Sequence, residues 1–406
     1  MKLMQSIQVA SAPPGTQGAN LDIAAAYRTL PILPDHRRYL CCQIKGGYYM
    51  DHNFPFGACS AHYCLGRVVD AIVDILNAVQ ISPVPKWGDD LFPIRFPKSS
   101  TPQANGSVSY SYTYDLAFFK SILAPLCVPW HATKWNDFSP RPVYLGLIWD
   151  FEKRTVALTE PKRIKYLTKV NDFLQTHSTT RVDKKLAMSI LGTLSHVTVV
   201  YQDGRSYLSA LSAFIATFTN EHKPRYPRSS VIKDLEWWSN KLTQTNFARP
   251  LSPRGVTQDL GIWVDASTTW GIGIIIGNEW DAWTWSSSWH YEGRDIGWAE
   301  AVAVELVAQI LFERGLSNAS ILIRGDNQGV VGSYGRGRGR NLHVNLTIRR
   351  TEIIGTSSNV LYMLEYVASK QNKADPISRG ELGPLAKQIT DYIQLPEELA
   401  PFLRHV

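Results

Sequence analysis

Cysteine is scarce in this chain, and the few that occur lack the spacing of a zinc site or a disulfide framework. Only five of the 406 residues are cysteine, an odd number, and no C-x-x-C pair is present. We therefore expect reduced thiols and an intracellular protein. The five are Cys41, Cys42, Cys59, Cys64 and Cys127.

Long apolar segments are lacking as well. The N-terminal segment contains no extended apolar stretch of the kind that marks a secretory signal. The most apolar segment, Ala299–Phe312, carries two glutamates, Glu300 and Glu305. We therefore expect no transmembrane helix and no membrane partner.

The chain has enough apolar residues for a sizeable core and a modest excess of positive charge. Hydrophobic residues make up 44% of the 406 residues, which suits two or three folded domains. Lys and Arg outnumber Asp and Glu by 42 to 35, which gives a formal net charge of +7. This charge suits a polyanionic partner without requiring one.

The segment Gly261–Gly277, GIWVDASTTWGIGIIIG, has the pattern of a β-hairpin. β-Branched and aromatic residues on both sides of the polar stretch Ser267–Thr269 predict a strand, a tight turn and an antiparallel strand. Trp280–Trp289 predicts a third strand. Asp265 lies at the end of the first strand, where a carboxylate is costly unless a partner such as a metal cation compensates it. An isolated Asp at a strand end is, however, more often a turn former.

Three further acidic residues lie at the ends of predicted elements downstream. Glu300 lies early in a predicted helix, Gly297–Arg314. Asp326 follows the apolar run Ile321–Ile323 at a strand-to-helix turn, and Asp375 lies in a late helix or loop. Carboxylate oxygens are the ligands that Mg²⁺ takes, and a pair of such ions can stabilise both oxygens of phosphodiester cleavage.

This series of motifs resembles a ribonuclease H domain over residues 261–380. The matches are VDAS, WAE, GDN and NKADPISRG, and the last resembles the N-x-A-D-x-x-S-R ending of retroelement ribonuclease H domains. Glu305 is an alternative to Glu300, but the two lie about 140° apart around a helix, so both cannot easily face one metal. The WAE order favours Glu300. The residues to which the resemblance assigns catalysis with Mg²⁺ (or Mn²⁺) are Asp265, Glu300, Asp326 and Asp375.

A second set of acidic residues lies in the N-terminal part of the chain. Asp22 lies at the end of a predicted strand, and Asp89 and Asp90 follow Gly88 between two short apolar flanks. Gly-Asp-Asp in such a setting is, by itself, usually a hairpin turn. Two strand-borne acidic positions can nevertheless hold two Mg²⁺ ions against a nucleoside triphosphate.

These N-terminal motifs resemble the palm of a reverse transcriptase. LDIAAAY resembles the first palm motif, FPFGACSAHY the second, and WGDD the aromatic-x-Asp-Asp hairpin, which implies Asp22, Asp89 and Asp90 as metal ligands. Among retroelements, LDIAAAYRTLP and KADPISRG are most similar to the DIRS-like group. The implied substrate contacts are Tyr27, which would exclude a ribose 2′-hydroxyl, Phe56 and Gly57 in the template–nucleotide pocket, and Lys134 near the leaving pyrophosphate.

Several features depart from the polymerase pattern. Trp87 replaces the usual Tyr or Phe of the Asp-Asp hairpin, and His62 replaces a common Pro. Only about 21 residues precede Asp22, where the family has a fingers subdomain with basic residues that contact the triphosphate. We therefore expect a palm truncated at its N-terminus, from a partial gene model or a decayed element, with weak or absent polymerase activity.

The middle of the chain predicts helices rather than a catalytic motif. By the resemblance these helices would form a thumb and connection, although core helices with solvated basic faces are an equal alternative. Phe247–Val256, with two prolines and a glycine, predicts a linker into the nuclease domain. The helices are predicted over Pro161–Leu174, Lys184–His196, Ser206–Thr219 and Asp234–Leu242.

A basic stretch and a tail complete the chain. Ser333–Asn341, SYGRGRGRN, predicts a glycine-rich loop. Its residues Arg336, Arg338 and Arg340 could contact phosphates, although a solvated loop is nearly as common an explanation. Pro384–Tyr392 predicts a short helix, followed by a tail without a signature.

Together these observations predict an α/β chain. We expect an α+β palm with an antiparallel sheet over residues 1–150 and a helical thumb, connection and linker over 151–255. A ribonuclease-H-like mixed five-stranded sheet with helices follows over 256–380, and a C-terminal tail over 381–406.

The resemblance implies a retrotransposon-derived enzyme with two Mg²⁺-dependent activities. These are RNA-directed DNA polymerisation, incomplete in this chain, and hydrolysis of RNA in RNA–DNA hybrids. The partners would be RNA–DNA hybrid, primer–template nucleic acid and dNTPs, in cytoplasm or nucleus. The alternative is a catalytically inactive nucleic-acid-binding relic of a retroelement. A transposase or integrase on the same fold is disfavoured by the KADPISRG ending and the palm motifs.

Overall fold

The chain divides into two units. The computed structural model describes residues 11–286, 289–291 and 293–406. The N-terminal unit runs to Thr159 and also includes Ala248–Leu251, and the C-terminal unit comprises Glu160–Phe247 and Ser252–Val406. Within both units helices and sheets are mixed, which confirms the predicted α/β class.

The N-terminal unit is built around the strand Gln17–Ile23. This strand pairs antiparallel with Asp90–Leu91, Ile94–Arg95 and Trp130–Ser139. The helix Ala61–Ala78 packs on this sheet because its apolar residues recur at helical spacing on one face. The other strands are Cys41–Ile44, Gly47–Met50, Lys86–Trp87, Ser99–Pro102, Val108–Ser111, Val143–Tyr144, Leu147–Asp150, Thr155–Leu158 and Ala248–Pro250, and the other helices are Ala26–Thr29, Pro34–Arg37, Leu116–Leu123 and Ala124–Leu126.

The prediction of a linker over Phe247–Val256 is wrong at Ala248–Pro250. These three residues form the edge strand of a four-stranded sheet in the N-terminal unit, paired antiparallel with Thr155–Leu158. An edge position tolerates Pro250, because the missing N–H costs no ladder bond on the open side.

The helical segment of the C-terminal unit contains the four predicted helices, but two of them begin elsewhere. The helix predicted over Asp234–Leu242 begins at Ser229. The region predicted as Ser206–Thr219 begins as a 3-10 helix, Gln202–Leu208, and becomes α-helical only at Ser209–Ala216. Gly204 lies so close to Trp238 that a Cβ there would come within 2.2 Å of the indole ring. The other helices of this segment are Glu160–His177, Lys184–Val197 and Ser229–Thr243.

A six-stranded mixed sheet forms the rest of the C-terminal unit. Its first three strands in spatial order are mutually parallel, and the rest are antiparallel. The order is Leu361–Tyr366, Ser320–Gly325, Thr257–Ala266, Gly271–Ile276, Glu279–Trp285 and Leu403–His405. The associated helices are Ile296–Glu313, Gln328–Arg336, Leu342–Ser358, Ser369–Gln371, Asp375–Ser378 and Leu385–Lys387.

The prediction for the tail is wrong, because the tail adds a sixth strand to the five predicted. Leu403–His405 pairs with the strand Glu279–Trp285. That strand is shorter than the predicted Trp280–Trp289, of which residues 287 and 288 lie outside the described residues. The helix predicted over Pro384–Tyr392 is reduced to one 3-10 turn, because Trp280 hydrogen-bonds to Pro384 and Ile389 and holds the segment extended.

The basic stretch is also only partly a loop. The helix Gln328–Arg336 extends through Arg336, and Gly337 ends it in a left-handed conformation with φ of 65°.

Among the helices of the described chain, none combines the length and the apolar character that a membrane span requires.

Candidate functional site: two acidic clusters

The C-terminal acidic cluster, defined as Asp265, Glu300, Asp326 and Asp375, draws one carboxylate from each of four elements. Asp265 ends the strand Thr257–Ala266. Asp326 follows the neighbouring parallel strand, so the two carboxylates meet at the same end of the sheet. Glu300 lies in the helix Ile296–Glu313, and Asp375 begins a four-residue helix.

Asp265 is the most enclosed member of the cluster. Its side chain is buried and accepts hydrogen bonds from Ser378 Oγ and, at 3.1 Å, from Asn372 Nδ2. Asn372 Nδ2 also donates to the carbonyl of Val264 at 2.9 Å and lies 3.5 Å from Asp326 Oδ1. Asn372 therefore holds Asp265 against the backbone of its own strand, with Asp326 close by.

Burial and repulsion by neighbouring carboxylates disfavour the charged forms of Asp265 and Glu300. Burial, together with the charges of Asp326 and Asp375, raises the pKa of Asp265 to about 7. Burial, with the charges of Asp326 and Asp265, raises the pKa of Glu300 to about 8.

Glu305, the alternative to Glu300, has a different environment. It is fully buried and makes a bidentate pair with Arg350 at 2.6 and 2.8 Å, with Gln309 nearby. Arg350 belongs to the helix Leu342–Ser358, so this carboxylate joins two helices. Glu300 instead accepts a hydrogen bond from Asn327 Nδ2 at 3.3 Å.

Polar residues within the motifs support the carboxylates, and the sequence analysis assigned them no role. Ser267 Oγ donates to the carbonyl of Ser378 at 2.6 Å, which joins VDAS to NKADPISRG. Arg379 donates twice to Asp375 Oδ1, at 3.0 and 2.8 Å. Asn327 caps the helix Gln328–Arg336 while contacting Glu300. All of these polar residues lie within the motifs VDAS, GDN and NKADPISRG, so the sequence already contained a signal for them.

The chemistry of the C-terminal acidic cluster fits a hard divalent cation. Its donors are carboxylate oxygens, which Mg²⁺ prefers, and a cation would offset the repulsion that raises the pKa of Asp265 and of Glu300. Among the residues that the structure describes, no three His, Cys, Asp or Glu side chains converge into a ready-made metal site. The carboxylate oxygens of Asp265, Glu300 and Asp375 instead accept hydrogen bonds from other side chains of the protein.

The N-terminal acidic cluster consists of Asp22, Asp89 and Asp90. Asp22 lies directly opposite Asp90 in the antiparallel strand pair, and the amide of Ile23 donates to the carbonyl of Asp89 at 3.2 Å. Lys134 Nζ lies 3.8 Å from Asp22 Oδ2. The hairpin of Lys86–Leu91 therefore brings together all three predicted acids, with the predicted lysine beside them.

Tyr27 and Phe56 also lie together. Their rings contact edge to face, with centroids 5.4 Å apart, and Tyr27 Oη hydrogen-bonds to His62 Nδ1 at 3.1 Å. Gly57 is exposed and adopts a positive φ of 93° beside Phe56. His62 is thus a contact residue of this surface that the sequence analysis noted only as a departure.

The three predicted phosphate-contacting arginines have unequal surroundings. Arg338 Nη1 donates to Ser212 Oγ at 2.9 Å, and Arg336 Nη2 donates to Ser333 Oγ at 3.3 Å. Arg340 and Arg336 are exposed. The internal contact of Arg338 makes it a poorer candidate for a phosphate contact than Arg340.

Comparison with known proteins finds similarity only among solved structures. No protein-family model and no curated protein sequence matches the chain. A foamy viral protease-reverse transcriptase in complex with RNA/DNA hybrid is similar at 13% identity and a TM-score of 0.44, over 97% of this chain and 48% of that one. The same viral protein with dsDNA gives 14% identity and a TM-score of 0.41, over 90% and 70% of the two chains. The chain thus spans about half the length of the first of these structures.

Proposed function

We propose that the C-terminal acidic cluster hydrolyses the RNA strand of RNA–DNA hybrids with Mg²⁺ (or Mn²⁺), in a chain derived from a DIRS-like retroelement. The observation that carries the proposal is that Asp265 and Asp326 lie at the ends of neighbouring parallel strands, close enough to Asp375 and Glu300 for their charges to repel. The motif order VDAS, WAE, GDN and NKADPISRG supports it independently.

The residues of the C-terminal acidic cluster would have different roles in binding the cation. Asp265 and Asp326 would hold the cation, because they lie at the ends of neighbouring parallel strands and Asn372 and Ser378 orient Asp265. Mg²⁺, when bound, would stabilise the attacking and leaving oxygens of the phosphodiester. Glu300 would complete the ligand set from the helix. Arg379 would hold Asp375 at the rim, since their ion pair is partly exposed.

A second activity, RNA-directed DNA polymerisation, is favoured by the N-terminal acidic cluster. The cross-strand pair of Asp22 and Asp90 places two carboxylates side by side, with Asp89 adjacent and Lys134 near. These acids would hold Mg²⁺ against a dNTP on a primer–template. Tyr27, Phe56 and Gly57 would line the nucleotide pocket. A non-catalytic nucleic-acid-binding relic is the competing explanation for both clusters.

Cleavage of a labelled RNA–DNA hybrid in Mg²⁺ or EDTA tests the proposal. We expect metal-dependent cleavage that falls at least about a hundredfold in Asp265→Asn, because a cation ligand is lost. Asp281→Asn is the matched control, since Asp281 is equally buried in the same sheet but pairs with His405. It should keep cleavage. Hybrid binding without cleavage in the wild type would favour the relic.

Primer extension on a poly-rA template tests the second activity. Extension that disappears in Asp89→Asn while hybrid cleavage persists would assign polymerisation to the N-terminal acidic cluster. Absence of extension in the wild type, at intact primer–template binding, would remove this activity from the proposal and leave hydrolysis unaffected.

A further inference from the structure

An open, strongly basic pocket lies in the helical segment of the C-terminal unit, and no residue of the C-terminal acidic cluster lines it. Its volume is about 390 Å³. No acidic residue is among the described residues that line it. The side chains that matter are four cations, Arg181, Lys223, Arg225 and Arg228, and two aromatics, Phe214 and Tyr226.

We propose that this basic pocket binds one nucleotide unit of a single-stranded nucleic acid, with its phosphate among the arginines and its base on Tyr226. The pocket is separate from the site of the proposed hydrolysis, and the choice of nucleic acid as ligand rests on that proposed function.

The backbone holds the cations together against their repulsion. Val182 and Arg225 exchange two backbone hydrogen bonds of 2.8 and 2.9 Å, which join the two segments that carry the arginines of the pocket. Like charges that line one pocket repel each other, and an anion between them reduces that repulsion. The fold therefore holds several cations at one surface, and an anionic ligand would reduce the repulsion between them.

The acidic residues closest in sequence are engaged elsewhere. Glu221 lies 3.9 Å from His222, and the Asp183 side chain accepts a hydrogen bond from the amide of Leu186 at the start of a helix. Across the described chain, no carboxylate lies within ion-pair distance of Arg181, Lys223, Arg225 or Arg228. The positive charge of the pocket is thus not neutralised by an internal partner.

A helix N-terminus adds to the positive potential. The 15-residue helix Ser229–Thr243 begins directly after Arg228, and no side chain caps this end. First-turn N–H groups and the helix dipole both favour an anion. This feature is independent of the arginines and points to the same ligand charge.

The exposed side chain of Tyr226 indicates that the ligand is a nucleotide unit rather than a simple anion. Tyr226 is 60% exposed, and the guanidinium of Arg181 lies 5.3 Å from its ring centroid. An exposed ring beside phosphate-binding cations is the combination that stacks unpaired bases. A duplex offers phosphates but no unstacked base, so a single strand is the better fit.

Fluorescence anisotropy with a labelled single-stranded DNA oligonucleotide tests the inference on the full chain. We expect Arg181→Gln to weaken binding about fivefold and to reduce the log–log salt slope by about 1, as for loss of one phosphate contact. Lys185→Gln removes the same charge from an exposed nearby position that does not line the pocket. This matched control should change affinity less than about twofold. If both variants weaken binding equally, or if neither weakens it, the pocket is not the binding site.

A second variant distinguishes a base-stacking site from a simple phosphate site. Tyr226→Leu should weaken the single strand at least about fivefold and leave competition by inorganic phosphate unchanged. If inorganic phosphate displaces the oligonucleotide and Tyr226→Leu has no effect, the single-strand assignment is wrong.

Hybrid cleavage by the same variants separates this inference from the proposed function. Weakened oligonucleotide binding by Arg181→Gln supports the pocket even if the wild type cuts no hybrid. Unchanged binding in that variant overturns the pocket even if cleavage is robust.

Discussion

Glu300 and Glu305 are identical side chains on one helix whose neighbours give them opposite roles. Glu300 faces other carboxylates, whereas Glu305 is paired with Arg350. Helix geometry and the WAE order favoured Glu300 from sequence alone. The partner of Glu305 could not be foreseen, because Arg350 comes from a helix whose packing no local pattern specifies.

The two glutamates should respond differently to the same substitution. Glu305→Gln leaves the buried guanidinium of Arg350 without its anion, so we expect the free energy of unfolding to fall by about 3 kcal/mol. Glu300→Gln removes a repelled charge, so stability should hold while hybrid cleavage falls. Urea unfolding and cleavage rates measured on both variants check this. A stable Glu305→Gln without cleavage would reverse the assignment.

At the scale of elements, regular periodicity was predictable and short pairings were not. The hairpin Gly261–Gly277 and the helix Ile296–Glu313 follow from residue patterns many positions long. Leu403–His405 is too short to show alternation, and its position depends on Asp281 and Gln388, which contact His405 and Val406. The strand Ala248–Pro250 is likewise too short to show alternation.

The contact between His405 and Asp281 should make the tail strand sensitive to pH. The hydrogen bond to the buried Asp281 raises the pKa of His405 above its usual value of about 6.5. This stabilisation is complete below that value and is lost as pH rises through the raised pKa. His405 is half exposed, so the effect should stay below about 1 kcal/mol.

Urea unfolding at pH 6 and pH 8 measures this effect. The drop in stability between the two pH values should be smaller in His405→Gln, which keeps a donor to Asp281 without titrating. An identical drop in both proteins would show that groups other than His405 govern the pH dependence.

At the scale of the whole molecule, each unit has its own core and its own acidic cluster. We therefore expect two calorimetric transitions, because cooperative unfolding follows separate cores. Asp265→Asn should raise the midpoint of only one of them in EDTA, since it removes a buried charge that its neighbours repel. A single transition that shifts as a whole would contradict this.

The motifs marked the positions of the predicted carboxylates, but the residues that contact these carboxylates could not be derived from local patterns. Each carboxylate lies at an element end that a local pattern marks. Asn372 and Ser378 were visible as letters of one motif, but their contacts with Asp265 form across more than a hundred residues. Only packing, which the sequence encodes through the whole core, determines such contacts.

The edge strand Ala248–Pro250 has a consequence for biosynthesis. During translation, the four-stranded sheet of the N-terminal unit must wait for this strand while the ribosome makes the entire segment Glu160–Phe247. Until then the edge of Thr155–Leu158 stays unpaired and open to other nascent chains. A gene fragment that stops at Thr159 would carry the same exposed edge permanently, so aggregation of that fragment would reflect a missing strand rather than a defect within residues 1–159.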